Sequence, residues 1–192
     1  MRVILSILIL IFSFQSWTKA DDIRDFEIEG ISIGDNALDF FNMSEIKKNS
    51  KTYYKNKMYT PIEFNHHESF ETYWAVDINV LTNDKKYKIE GLKGVIDYRN
   101  KSMEKCKKQL IEIANQISTL FVNFEKTNIK TTNHGADPTG KSKHTDIAFY
   151  SSQDDIITVF CTDYSEESGW MDHLGVEIKT KKFNNFLGIA YD

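Results

Sequence analysis

Two cysteines are the side chains of this sequence most able to do chemistry. Cys106 sits in KSMEKCKKQL, among lysines near the start of a helical pattern, and Cys161 in ITVFCTD. A thiol near a helix N-terminus and beside lysines is held toward its reactive thiolate form. The alternative is a disulfide. Along ITVFCTD alternate residues place Ile157, Val159 and Cys161 on one face of a strand and Phe160 on the other, inside a run apolar on both sides. Cys106 belongs to an apolar helical stripe, so a helix packed on that face brings the two sulfurs together. In an oxidising compartment such a pair is bonded. The expectation is a structural Cys106–Cys161 disulfide worth at most about 4 kcal/mol by loop entropy, with a reactive Cys106 as the competing reading.

Other strings point to chemistry but lack its context. GADPTGKS, Gly135 to Ser142, fits the phosphate-binding pattern G-x-x-x-x-G-K-[ST]. That loop must leave a buried strand and enter a helix, whereas NIKTTNH before it is polar and KHTDIAFYSSQDD after it has no helical stripe. A surface loop is the better reading. His66 and His67 with Glu68 would point to opposite faces of a strand and chelate poorly, while His134 and His144 flank the same polar stretch. DYSEESGWMDH, Asp163 to His173, gathers acceptor oxygens without the glycine and glutamate positions of an EF-hand, and reads as a solvated acidic turn with Trp170 as a core edge or partner contact. Asn42 and Asn100 head glycosylation triplets that a bacterial chain would leave bare. Catalytic residues remain unassigned, and no cofactor or metal site is expected.

The elements that must position these residues follow from periodicity. FEIEGISI reads as a short strand, and Gly34-Asp35 lead into a short helix holding Leu38, Phe40 and Phe41. Ser44 caps a further turn. YTPIEFN, YWAVDINVL and YKIEGLKGVIDY read as three successive antiparallel strands, the last two joined at Thr82-Asn83-Asp84. Met103, Cys106, Leu110, Ile113, Ile117, Leu120 and Phe124 recur at spacings of three and four, which predicts one long amphipathic helix over about 103–124 with Ser102 as cap. Residues 125–145 show neither period and read as a loop, mobile or functional. IAFY, IITVFCTDY and LGVEIKT follow as antiparallel strands, and FNNFLGIAY closes the chain as a docked helical turn. The fold class is α+β, an antiparallel sheet packed by one long helix.

MRVILSILILIFSFQSWTKADD reads as a secretory signal peptide: Arg2, an apolar run from Val3 to Phe14, and Thr18 and Ala20 at the −3 and −1 positions of a cut after Ala20. The run is too short for a membrane-spanning helix. Residues 1–20 are then leader, and 21–192 one domain of a size that buries its own core. The chain carries a net charge of −4, which becomes more negative when Arg2 and Lys19 leave with the leader; nucleic acid and anionic lipid are poor partners for it. Lysine far outnumbers arginine, which occurs only as Arg2, Arg24 and Arg99, the usage of an AT-rich bacterial genome.

DDIRDFEIEGISIGDNALDFF, together with helix-borne Cys106, Cys161-Thr-Asp-Tyr and LGVEIKT-KKFNNFL, resembles uncharacterised exported proteins of small-genome marine alphaproteobacteria, over most of the chain after the leader. The strand, GISIGD and short helix are similar to the start of small envelope binding domains of the outer-membrane-assembly lipoprotein and β-lactamase-inhibitor type; that likeness implies a binding module rather than an enzyme. The expectation is a periplasmic or secreted binding or accessory protein that contacts an envelope protein or a small ligand, with no integral membrane segment after the leader. The alternative is an exported hydrolase whose site assembles only in the fold.

Overall fold

The computed structural model describes residues 20–191, so the leader expectation falls on residues outside those described. In chain order the strands and helices are β1 (Glu27–Ile28), β2 (Ile31–Ser32), α1 (Met43–Asn49), β3 (Tyr59–Asn65), β4 (Ala75–Leu81), β5 (Ile89–Asp97), α2 (Met103–Leu120), β6 (Glu125–Lys126), β7 (Lys130–Asn133), β8 (Lys143–Tyr150), β9 (Ile156–Asp163), β10 (His173–Lys179) and α3 (Lys181–Leu187). Strands β3 to β10 form one antiparallel sheet in the order β3-β4-β5-β10-β9-β8, and β6 and β7 both pair along the outer edge of β8. The α+β class holds, and among the described residues α2 is accompanied by two short α-helices, α1 and α3.

One sheet face is closed by the N-terminal segment, α1 and α2. Ile62, Phe64, Val76, Ile78, Leu92, Ile157, Val159, Leu174, Val176 and Ile178 meet Cys106, Leu110, Ala114 and Ile117 of α2 in the main core. Burying such alternating strand positions against one helical stripe is the dominant stabilising term. Cys106 and Cys161 are bonded across this interface, with Cα atoms 6.1 Å apart. α3 lies on the opposite face, at one end only. There Phe183, Phe186, Tyr54 and Tyr59 form a second, smaller cluster, and the Phe183 ring occupies the space above Gly91 that any larger residue would fill.

Several local expectations change. FEIEGISI folds back as a two-residue hairpin, because Glu29 and Gly30 both take positive φ, 53° and 74°, as a tight hairpin turn requires. Leu38 lies in a 3-10 turn, Ala37–Asp39, with Phe40 and Phe41 beyond it, and α1 is capped by Asn42 rather than Ser44: the Asn42 side chain accepts from the Ser44 and Glu45 amides while Glu45 returns the bond. α2 stops at Leu120, short of Phe124, because Phe121 leaves helical geometry at φ −102°, ψ 63°. Ser102 precedes the helix without a side-chain capping bond. Residues 125–145 are not a bare loop: β6, β7 and the start of β8 lie within them.

Candidate functional site

Among the described residues no helix covers the centre of the sheet face opposite α2, and β3, β4, β5 and β10 carry charged residues there. Glu63, Asp77, Lys93 and Glu177 stand in one row, since Glu63 pairs with Asp77, Asp77 with Lys93, and Lys93 with Glu177 across β3, β4, β5 and β10. Side chains paired directly across strands are close enough to interact. The Lys93 Nζ lies 2.5 Å from Asp77 Oδ2, Lys179 Nζ 2.6 Å from Glu177 Oε2, and Lys51 Nζ 3.9 Å from Glu63 Oε2. The Lys93 side chain keeps 30% of its surface in solvent, so the row is recessed yet wet. Burial works against the Lys93 charge, but Asp77 and Glu177 outweigh it and raise its pKa. Burial likewise works against the Glu177 charge, and Lys179 and Lys93 overcome it to hold the carboxyl below its usual range.

Aromatic groups stand on either side of this row. On one side Tyr54 meets Tyr53 and Tyr191 edge to face at 4.9 and 5.6 Å between centroids, and its hydroxyl donates to Asn79. On the other, Phe160 lies between His144 at 4.9 Å and His173 at 5.7 Å. Tyr164 joins that group, 4.9 Å from His134, 5.2 Å from Trp170 and 5.9 Å from His173. Asn79, which holds the Tyr54 hydroxyl, stands two residues from Asp77 on β4, and His173 stands four residues from Glu177 on β10, so both aromatic groups share the face of the charged row. Burial raises the phenols of Tyr53, Tyr54, Tyr164 and Tyr191, so each stays a neutral donor and acceptor.

Burial also lowers the pKa of His134, His144 and His173, leaving neutral imidazoles at pH 7. His173 Nδ1 lies 2.9 Å from the Met171 carbonyl and so carries the proton, which leaves Nε2 as an acceptor. His144 Nδ1 lies 3.1 Å from Thr162 Oγ1, and His134 Nε2 3.3 Å from the Tyr164 hydroxyl. Trp170 is 51% exposed, which removes the core-edge reading and leaves a ring available to a partner.

The remaining sequence candidates resolve differently. Gly135 to Ser142 forms a closed turn around its own anion: Asp137 accepts from the amides of Thr139 and Ser142, both at 2.9 Å, and from the hydroxyls of Thr139, Ser142 and Ser165. These bonds, the Ser142 hydroxyl first, depress the Asp137 pKa far below the carboxylate range, so the place a phosphate would take is filled. Lys141 pairs with Glu167 instead of a ligand. His67 contacts Ser69 and Glu45 near α1, and His66 lies edge-on to Trp74. Asp172 accepts from the Tyr164 amide within the acidic turn. Among the described residues no three His, Cys, Asp or Glu side chains converge as a metal would need. A cavity of about 230 Å³ lies elsewhere, among Arg24, Gly34, Lys88, Glu90, Asp155 and Thr180; its Arg24 is already bonded to Asp22 and its Glu90 accepts from Tyr59 and Thr180.

Sequence reasoning passed over Asp77, Lys93 and Glu177. Their signal was present as the polar positions of strands whose alternate residues are apolar, which marks a sheet with one uncovered face. Comparison with known proteins finds no matching family model, no matching curated protein and no matching solved structure.

Proposed function

We propose that this chain is an exported binding or accessory protein whose contact surface is the open sheet face centred on Lys93. The observation that carries the reading is the row Glu63, Asp77, Lys93, Glu177, recessed between two aromatic groups and, among the described residues, not covered by a helix. Half-buried polar groups set among amphipathic aromatics are the composition of recognition surfaces. Export is supported by the Cys106–Cys161 bond, which favours an oxidising compartment. Among the described residues no helix is long and apolar enough to cross a membrane.

The test places a photo-crosslinking residue at position 170 or 191, on the open face, and at position 111, exposed on α2. In the native envelope the first two positions are expected to yield defined adducts and the third none. Adducts from position 111 alone would move the contact surface to the helical side and end this reading.

A further inference from the structure

We infer that the open face takes an uncharged oligosaccharide, an inference that rests on the binding reading above and names its ligand class. The floor offers charges that are already matched: Asp77 to Lys93, Glu177 to Lys179, Glu63 to Lys51. A charged ligand would have to compete with these pairs, whereas a neutral one leaves them intact. Hydrogen-bonding capacity nevertheless remains. Lys93 carries three N–H donors, each carboxylate accepts at two oxygens, His173 presents a bare Nε2, and the rim phenols of Tyr53, Tyr164 and Tyr191 are neutral. A surface of interleaved donors and acceptors complements hydroxyl groups, which both donate and accept.

The ion pairs also decide against a dry partner. Covering Lys93 and Glu177 with an apolar protein patch would strip their remaining water without replacing its hydrogen bonds, which disfavours such a partner. A polyol supplies hydroxyls in place of that water and admits bridging waters beside them. An added peptide strand has no purchase on this face, since both edges of β5 and β10 are already paired. A polyanion meets no net positive charge.

The rims supply the apolar part. Trp170 is 51% exposed beside Tyr164 and His134, so its indole keeps open surface for the C–H face of a sugar. Across β4, β5, β10, β9 and β8 the face extends about 15–20 Å at the usual strand spacing, the reach of several linked rings rather than one.

The experiment titrates the protein with chitotetraose, maltotetraose, cellotetraose and mannotetraose, and with an alginate tetrasaccharide as charged control, reading tryptophan emission and the ring resonances of Tyr164, His144 and His173. At least one neutral tetrasaccharide is expected to shift Trp170 emission and these resonances. Trp170→Ala, at an exposed position that leaves the core intact, is expected to weaken that binding at least about tenfold, while Ile111→Ala leaves it unchanged. No response to any neutral sugar at millimolar concentration, or preference for the alginate fragment, overturns the inference. If adducts still form from positions 170 and 191, only the ligand class falls; if they do not, the binding reading falls with it.

Discussion

The ring of Phe160 lies on the neighbouring strand directly over Gly175, in the space a side chain there would occupy. Because His144 and His173 flank that ring, Gly175 holds one aromatic side of the open face in place. Gly175→Ala is therefore expected to displace Phe160, costing about 1–3 kcal/mol through overpacking. The accompanying sign is a change in the His144 and His173 ring resonances; a variant with unchanged midpoint and spectra would show that Gly175 has no such role.

Cys106 and Cys161 close a loop of 55 positions between α2 and β9. Replacing both with alanine is expected to lower unfolding free energy by up to about 4 kcal/mol, measured by urea denaturation against the oxidised protein. Equal midpoints in the two forms, or two alkylatable thiols in the purified protein, would contradict the structural role.

Acid should loosen the histidine side of the face. Folding lowers the pKa of His134, His144 and His173 below 6.5, so the unfolded chain binds more protons in that range. Their contribution is complete above pH 6.5 and is lost as pH falls through the folded values. The opposing groups are Asp137 near His134, Asp146 and Glu177 near His144, and Asp77 near His173, with Lys93 and Lys179 adding positive charge. Thermal midpoints are expected to drop from pH 7 to pH 5 more in the wild type than in a His134→Gln, His144→Gln, His173→Gln triple variant. Parallel curves would remove these groups from the acid response.

Lys93 separates two carboxylates. Lys93→Ala leaves Asp77 without its ion-pair partner and Glu177 with Lys179 alone, and about 2 kcal/mol of stability is expected to go, between the value of an exposed pair and that of a fully buried one. The deficit should shrink in acid, because Lys93 helps hold the Glu177 carboxyl below its usual range and that contribution is lost as the carboxyl protonates. A deficit that is constant with pH would mean lost packing rather than unpaired charge.

What the sequence disclosed follows from which residues are buried. Cys106, Leu110 and Ile117 announced their helical face and Val159 and Cys161 their strand face because each sits in the core. β6 and β7 escaped notice because every residue in them is exposed, so no alternation of hydrophobicity marks them as strands. The charged row was hidden for another reason: Asp77, Lys93 and Glu177 become neighbours only through strand register, which turns and long-range pairing set. The phosphate-binding pattern misled because its glycines and serine serve a turn whose anion, Asp137, lies inside the motif.

Hydroxyl-radical footprinting of the protein with and without native envelope extract tests the central claim most directly, since it reports on protein and small-molecule partners alike. The open-face account predicts protection of Tyr53, Tyr164, Trp170 and Tyr191, with Ile111 and Val122 on the helical side oxidised equally in both samples. Protection confined to Ile111 and Val122, or absent from the four aromatic residues, would contradict it.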